Sequence, residues 1–245
     1  MVASETRAAD TTNEVAHGVL REAQQAAYRF PEGFFGFRAH VTITEATSGG
    51  TKTASGTVTV GGPRSIELAL EGDETLAQWG KQEIGSVAGH RWPTSYEESD
   101  GRYGLVLDED PHHPLGSQIT FQDDPFTSVY RVANGRISQV TRSMGSMRFT
   151  ITMQRHSETP DGRALPSEFT VSYWNTQQDR LTRSDIYSDR YQVVENVSIP
   201  ATRTIVTADD TGFTTRVLEF SDVQLLTELV QVETEGGERH GTRAG

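Results

Sequence analysis

From Phe34 to Phe220 the chain alternates apolar with hydroxyl or charged residues in short runs, broken by turn signals about every 8–14 positions. Successive side chains of a strand point to opposite faces, so such alternation marks a sheet with one dry side and one wet side. His40-Val41-Thr42-Ile43-Thr44, Gly56-Thr57-Val58-Thr59-Val60 and Ser65-Ile66-Glu67-Leu68-Ala69-Leu70 are of this kind, punctuated by Gly49-Gly50 and Gly61-Gly62-Pro63. Further strands are expected at 102–107, 117–121, 127–132, 136–142, 147–155, 168–174, 181–188, 201–207 and 214–220. Asn134-Gly135 is the strongest hairpin signal, because both residues tolerate the positive φ of a tight primed turn. Residues 157–164 and 175–180 read as further turn regions.

Two segments carry helical periodicity instead. Thr11-x-x-Glu14 is a capping-box pattern, followed by Val15, Val19, Leu20, Ala23, Ala27 and Tyr28 at helical spacing, with Pro31 and Gly33 as the stop. Leu76, Trp79, Ile84 and Val87 share a face between Glu74 and Ala88, and Gly89 is expected to end that helix. Strands and helices do not alternate, so a parallel sheet is excluded. The expected fold is mainly β with two helices: a large curled antiparallel sheet, a half-barrel or open barrel around an apolar cavity, with the helices covering or plugging its concave side. One domain is expected over residues 11–232, between a disordered lead (1–10) and a flexible tail (233–245).

Composition narrows the function. The chain has 22 Lys+Arg against 34 Asp+Glu, a net charge of −12, which argues against a nucleic-acid partner. It contains no Cys, which removes disulfides, zinc fingers and thiol catalysis. No apolar run approaches the roughly 20 residues of a membrane-spanning helix. No secretory signal is read at the start, so a cytoplasmic location is expected. Lysine occurs only at Lys52 and Lys81, and any Arg turned inward would be a rigid, permanently charged fork suited to carboxylates.

Three segments could carry chemistry. Asp108-Glu109-Asp110-Pro111-His112-His113-Pro114 concentrates metal-type donors, but adjacent imidazoles diverge on extended backbone. A solvated loop is therefore expected there, as at Asp123-Asp124, and no metal or other cofactor. Gly89-His90-Arg91-Trp92-Pro93 leaves the second helix. His90 could move a proton and Arg91 hold an anion, or both could cap the helix carbonyls. Tyr96 could add a phenol donor or simply pack. In the third segment, Gln139 to Phe149, three of the four Met residues fall between Met144 and Met153. Alternation puts Arg142, Met144 and Arg148 on one face across a bend, unless a bulge at Gly145 shifts the phase. Catalytic roles are assigned to His90, Arg142 and Tyr96, and ligand contacts to Arg91, Trp92, Met144, Met147, Phe149 and Trp174. No Gly-x-Ser-x-Gly elbow, phosphate-binding loop, dinucleotide fingerprint or His-Glu-x-x-His helix occurs.

Several of these segments carry a family resemblance. Ala27-Tyr28-Arg29-Phe30 leading to Gly33-Phe34-Phe35-Gly36-Phe37-Arg38-Ala39 resembles the opening of domain of unknown function 3386, and Gly89-His90-Arg91 with Tyr96 its central motif. The stretch from Arg131 to Met147 resembles its longest block, and Tyr191 to Pro200, Arg203 and Phe220 its closing strands. The likeness spans about residues 14–226, excepting an unmatched insert from His112 to Asp124 and the acidic tail. It brings no catalytic residue with it. By analogy, the element order is similar to half-barrel lipoprotein carriers. The expected partner is a hydrophobic or amphiphilic small molecule, with no cofactor. The leading expectation is a cofactor-free isomerase or cyclase working by shape and preorganised polar groups, with a non-catalytic carrier or chaperone as the alternative. Oligomeric state is open.

Overall fold

The computed structural model describes residues 2–110 and 112–229, with side chains from Asn13 onward. Its elements, in chain order, are α1 (Val2–Ala26), β1 (Phe37–Thr47), β2 (Gly50–Val60), β3 (Ile66–Gly72), α2 (Glu74–Arg91) and a short 3-10 turn at Asp100–Arg102. There follow β4 (Gly104–Asp108), β5 (Ser117–Gln122), β6 (Val129–Ala133), β7 (Arg136–Met144), β8 (Met147–Glu158), β9 (Ala164–Asn175), β10 (Arg180–Val194), β11 (Val197–Asp209) and β12 (Gly212–Leu225). All twelve strands join one antiparallel sheet in the order β3-β2-β1-β12-β11-β10-β9-β8-β7-β6-β5-β4. Every expected strand is present, most of them longer than alternation alone suggested.

The helix boundaries differ from expectation. Residues 2–10, read as a disordered lead, are the first turns of α1. Ala3, Ala8 and Ala9 favour helix, and no Gly or Pro breaks the run. In α2 the N-cap is Asp73, whose Oδ1 accepts from the Leu76 amide at 2.9 Å. Gly89 does not end this helix. It runs on to Arg91, because two neighbours from outside the helix satisfy its last carbonyls: Arg29 donates to the His90 carbonyl, and the Phe30 amide to that of Arg91 at 2.8 Å. The expected tail, 233–245, lies outside the described residues.

Tight turns make the meander possible. Asn134-Gly135 (φ 52° and 68°) and Glu195-Asn196 (φ 48° and 69°) both take the double left-handed conformation of a primed hairpin. Gly145 (φ 60°) sits in the two-residue turn between the paired Met144 and Met147. The register is unbroken there, so no bulge forms.

One face of the sheet is dry. Across the strands it carries Tyr130, Val140, Ile151, Val171, Asp185 and Thr207 in one cross-strand row, and Asp189, Arg203, Leu218, Ile43 and Ala54 in another. The opposite face is a hydroxyl surface, with Thr141 bonded to Thr150 at 3.1 Å and Thr42 to Ser55 at 3.0 Å. Both helices pack on the dry face. α2 covers β1, β2 and β3, where Leu76, Ile84 and Ala88 share a core with Val41, Ile43, Val58, Val60 and Ile66. Each large aliphatic side chain buried this way contributes roughly 1.5–3 kcal/mol. Gly80 lets the helix come this close: a Cβ there would lie 2.1 Å from Ile43 Cδ1. α1 covers the other end through Ala16, Leu20 and Ala23 against Leu105, Ile119, Tyr130 and Val132.

The sheet must curl around α2. In a flat sheet, four steps of about 4.8 Å separate β3 from β11 by roughly 19 Å, whereas a helix with side chains is only about 10–12 Å across. Yet α2 rests on β3 while its Glu83 Oε2 accepts from Arg203 Nη1 on β11 at 3.1 Å. The free edge of β4 is tied to α1, since the Leu105 amide donates to Asn13 Oδ1 at 2.7 Å. One end of the curl is closed by the segment linking α1 to β1. There Tyr28, Phe30, Phe34 and Trp92 pack together, and the Tyr28 phenol accepts from the Ser198 amide at 2.9 Å.

Candidate functional site

Between the two helix-covered ends, the inner faces of β8, β9, β10 and β11 form the floor of a trough. Val171, Tyr187 and Ile205 are buried at its base. Phe149, Ile151, Phe169 and Tyr173 pack on them and stay partly exposed, with Trp79 of α2 forming one wall. Phe169 and Tyr187 are stacked, 4.4 Å between centroids and 9° apart in plane. This is an open trough rather than a closed chamber. Two clefts of mixed polar and apolar lining lie elsewhere: one of about 570 Å³ bordered by Arg29, Phe30, Pro93, Glu98 and Arg163, and one of about 500 Å³ beside Leu115, Arg136, Ile137, Met153 and His156.

Charged groups line the trough in pairs. On β10, Asp185, Tyr187, Asp189 and Tyr191 alternate inward, so this strand turns its acids toward the helices. Arg203 answers Asp189 with two parallel bonds, Nε to Oδ1 at 2.8 Å and Nη2 to Oδ2 at 2.7 Å, and reaches Glu83 as well. The geometry is that of a fork on a carboxylate, which compensates the cost of burying both charges. The Arg203 guanidinium is held charged despite its burial by Asp189 and then Glu83, while burial pushes the Glu83 carboxyl up. The Tyr187 phenol is pushed up by burial first and by Glu83, Tyr173 and Asp185 next. Arg183 stacks on Tyr173 at 3.9 Å, with Asp185 at 3.2 Å from its Nε. Arg216 stacks on Trp79 at 4.9 Å and pairs with Glu45.

The residues singled out from sequence are dispersed over this frame. Phe149 lies in the trough, and Arg142 is its cross-strand partner at the α1-side wall. Met144 and Met147 share their face at the β7–β8 turn, Met144 exposed at the tip. Arg148 pairs with Ser143 on the opposite face, so it does not share Arg142's side as alternation across a bend suggested. The two-residue turn keeps cross-strand partners, not every second residue, on one side. Trp174, adjacent to the inward Tyr173, also faces outward, opposite Arg148, and is no part of the trough wall.

The three proposed catalytic groups do not converge. Tyr96 sits in a turn, not a strand, with its hydroxyl 2.6 Å from His17 Nδ1 on α1 and burial pushing its pKa up to about 12. Arg142 Nη2 donates to Tyr130 Oη at 2.5 Å in the α1 half of the molecule. His90 is exposed on the last turn of α2, its Nδ1 3.5 Å from Ser86. Crowding by surrounding protein lowers its pKa, a hydrogen bond at Ser86 opposes this, and Arg91, Arg203 and Arg29 lower it further. Arg91 enters the buried network instead, with Nη2 2.6 Å from the Tyr191 hydroxyl and 3.9 Å from Asp189. Trp92 packs in the aromatic cluster at the closed end. Neither His90 nor Arg91 caps the helix with its side chain.

The acidic loop behaves as a loop. Among the described residues no group of three His, Asp or Glu is placed to hold a metal ion. His113 Nδ1 accepts from the Leu115 amide, and Asp124 Oδ2 from the Ser128 amide; Pro111 lies outside the described residues. Sequence reasoning missed Trp79, Tyr173, Arg183, Tyr187, Asp189 and Arg203. The signal was present as period-two runs, Phe149-x-Ile151-x-Met153, Phe169-x-Val171-x-Tyr173 and Asp185-x-Tyr187-x-Asp189, each of which puts three side chains on one face.

No helix among the described residues is long and apolar enough to cross a membrane. The chain is similar in fold to a domain described as an outer membrane lipoprotein-sorting protein from Vibrio parahaemolyticus (10% identity, TM-score 0.39, covering 89% of this chain and 95% of that one). It is also similar to a LolA superfamily protein from Nitrosomonas europaea (13% identity, TM-score 0.32, 86% and 93% covered). A DUF1329 family protein from Desulfovibrio piger is a third (8% identity, TM-score 0.28, 87% and 93% covered). Likeness at this level does not bear on the site. No curated protein matches the chain. Over residues 11–226 the sequence matches one family throughout, and the chain belongs to it: the protein of unknown function family DUF3386.

Proposed function

We propose that this protein is a non-catalytic carrier or chaperone that holds an apolar or amphiphilic molecule in the trough between α1 and α2. One observation carries the reading: Phe149, Ile151, Phe169 and Tyr173 stay partly exposed on the dry face of the sheet although both helices lie on that face. Exposed apolar surface of this kind, concave and bordered by a few fixed polar groups, suits a ligand of matching chemistry. A cofactor-free isomerase or cyclase is the weaker reading. It needs a proton-moving group and a charge-stabilising group beside the same substrate atoms, whereas His90 lies on α2 away from the other two, and Tyr96 and Arg142, which share the α1-side core through Tyr130, are each bonded to a protein partner, His17 and Tyr130.

The test is recovery of ligand. Delipidated protein is incubated with a single-chain amphiphile such as dodecanoate, then desalted and extracted. One unchanged molecule per chain is the expected result, and Val171→Arg, which places a charge on the trough floor, should abolish it. Conversion of the amphiphile over many turnovers, or equal retention by Val171→Arg, would overturn the proposal.

A further inference from the structure

The inward arginines are not equally compensated. Arg203 has Asp189 at 2.7 Å, Arg216 has Glu45 at 2.6 Å, and Arg183 has Asp185 at 3.2 Å. Arg142 has no carboxylate within 4 Å among the described residues. Its single hydrogen bond is to a neutral phenol, Tyr130, and its Nε is buried without a partner. Nη1 makes no hydrogen bond within the described protein. Phe126 and Tyr130 rings stand 5.7 Å away. The carboxyl that feels its charge is Asp100, raised by burial and lowered in turn by Arg142, Gln24 and Tyr130, and it lies beyond ion-pair distance of the guanidinium. A half-buried guanidinium this poorly answered is costly unless an anion completes it.

Its position gives the anion a context. Arg142, Phe149, Tyr173 and Arg183 form one cross-strand row over β7, β8, β9 and β10, two aromatics with a guanidinium at each end. Phe149 and Tyr173 lie 6.3 Å apart, centroid to centroid. The row is next to the hairpin turns at 145–146 and 176–179, at the opposite end of the strands from the aromatic plug formed by Tyr28, Phe30 and Trp92. Beyond it the floor becomes apolar through Ile151, Val171 and Phe169.

Resting on the carrier reading, we infer that the ligand is an anionic amphiphile, its carboxylate or phosphate held by Arg142 and drawn in by Arg183. Its tail lies over Phe149 and along Ile151, Val171 and Phe169 toward the plugged end. A charge-assisted bond in a partly dry site favours the anion by about tenfold over a neutral head.

The test titrates delipidated full-length protein with four probes of one chain length: dodecanoate, dodecyl phosphate, dodecanol and dodecyltrimethylammonium. Either anion should bind at least about tenfold tighter than the alcohol and the cation, and the two anions' ranking separates a carboxylate from a phosphate ligand. Arg142→Met should erase that preference while leaving dodecanol affinity within about twofold, and Arg142→Lys should keep part of it. The outward Arg148→Met should change nothing. Equal affinity for all heads, or a preference surviving in a folded Arg142→Met, overturns the inference while leaving the carrier reading intact. Failure of every probe to bind overturns both. Thermal melts confirm folding, and if Arg142→Met is unfolded, Arg142→Gln replaces it under the same criteria.

Discussion

Replacing Arg203 by Met isolates the buried charge network. The Arg203 and Asp189 side chains are 8% and 4% exposed, and Arg203 spends three of its donor atoms on two acids, Asp189 and Glu83. Methionine fills much of the volume but leaves Asp189 facing Glu83 without a cation between them. Removing one partner of such a pair costs about 3–5 kcal/mol, because the buried Asp189 then keeps only the Tyr191 hydroxyl at 3.2 Å and Arg91 at 3.9 Å. At about 2–4 °C per kcal/mol for a chain of this size, the melting temperature should fall by roughly 6–20 °C. The assay is calorimetry at pH 7, paired with urea titration. The double change Arg203→Met/Asp189→Leu should regain more than half of the loss, since an apolar pair can replace a buried ion pair at little cost. Recovery will be incomplete, because Arg91 stands 3.9 Å from Asp189 and loses a partner too. An Arg203→Met protein within about 1 kcal/mol of the parent would refute the claim that this network is buried and coupled.

Three further outcomes follow from other parts of the molecule. Gly36→Ala should be severely destabilising in thermal melts, because φ is +120° and a Cβ would lie 1.9 Å from the Val60 carbonyl oxygen; Gly135→Ala, with open space around it, should cost only about 1 kcal/mol. His17 has a pKa lowered by burial and then by Arg21, so its folded value lies below its unfolded 6.5. Its contribution is therefore present above pH 6.5 and lost as pH falls through the folded value, and the parent's stability advantage over His17→Asn should shrink between pH 7.5 and pH 5. A constant difference across that range would contradict the lowering of the His17 pKa by burial and Arg21. Asn13→Ala should increase amide exchange at Leu105, on the edge strand, more than at Ile119 on β5; equal change would argue against edge protection by α1.

Much of this architecture was legible in the chain because it rests on local rules. Period-two alternation located all twelve strands, and the Asn134-Gly135 hairpin followed from what glycine and asparagine permit, whereas the bend read at Gly145 is a two-residue turn. Strand lengths were underread where the usual apolar-in pattern breaks. β10 runs to Val194, but its inward positions include Asp185 and Asp189, which look like solvent-facing residues until Thr207 and Arg203 are seen opposite them. Gly89 looked like a helix stop, and only the distant Arg29 and Phe30 explain why it is not. The site was the least legible part. Arg142, Tyr173 and Arg183 meet through three successive strand pairings, and no spacing along the chain encodes such a row. His90 and Tyr96 are close in sequence, yet one ends α2 and the other is bonded to α1.

The central claim, that the dry centre of the curled sheet is the ligand surface, is tested most directly by photo-crosslinking. A dodecanoate bearing a diazirine near its terminal carbon is bound to the delipidated protein, irradiated, and the labelled residues are mapped by peptide mass spectrometry. Labels should fall on Ile151, Phe169 and Val171, inner-facing residues of β8 and β9. Labels concentrated instead on the outward Trp174, Leu181 and Phe213, or around the cleft bordered by Arg29 and Arg163, would contradict it.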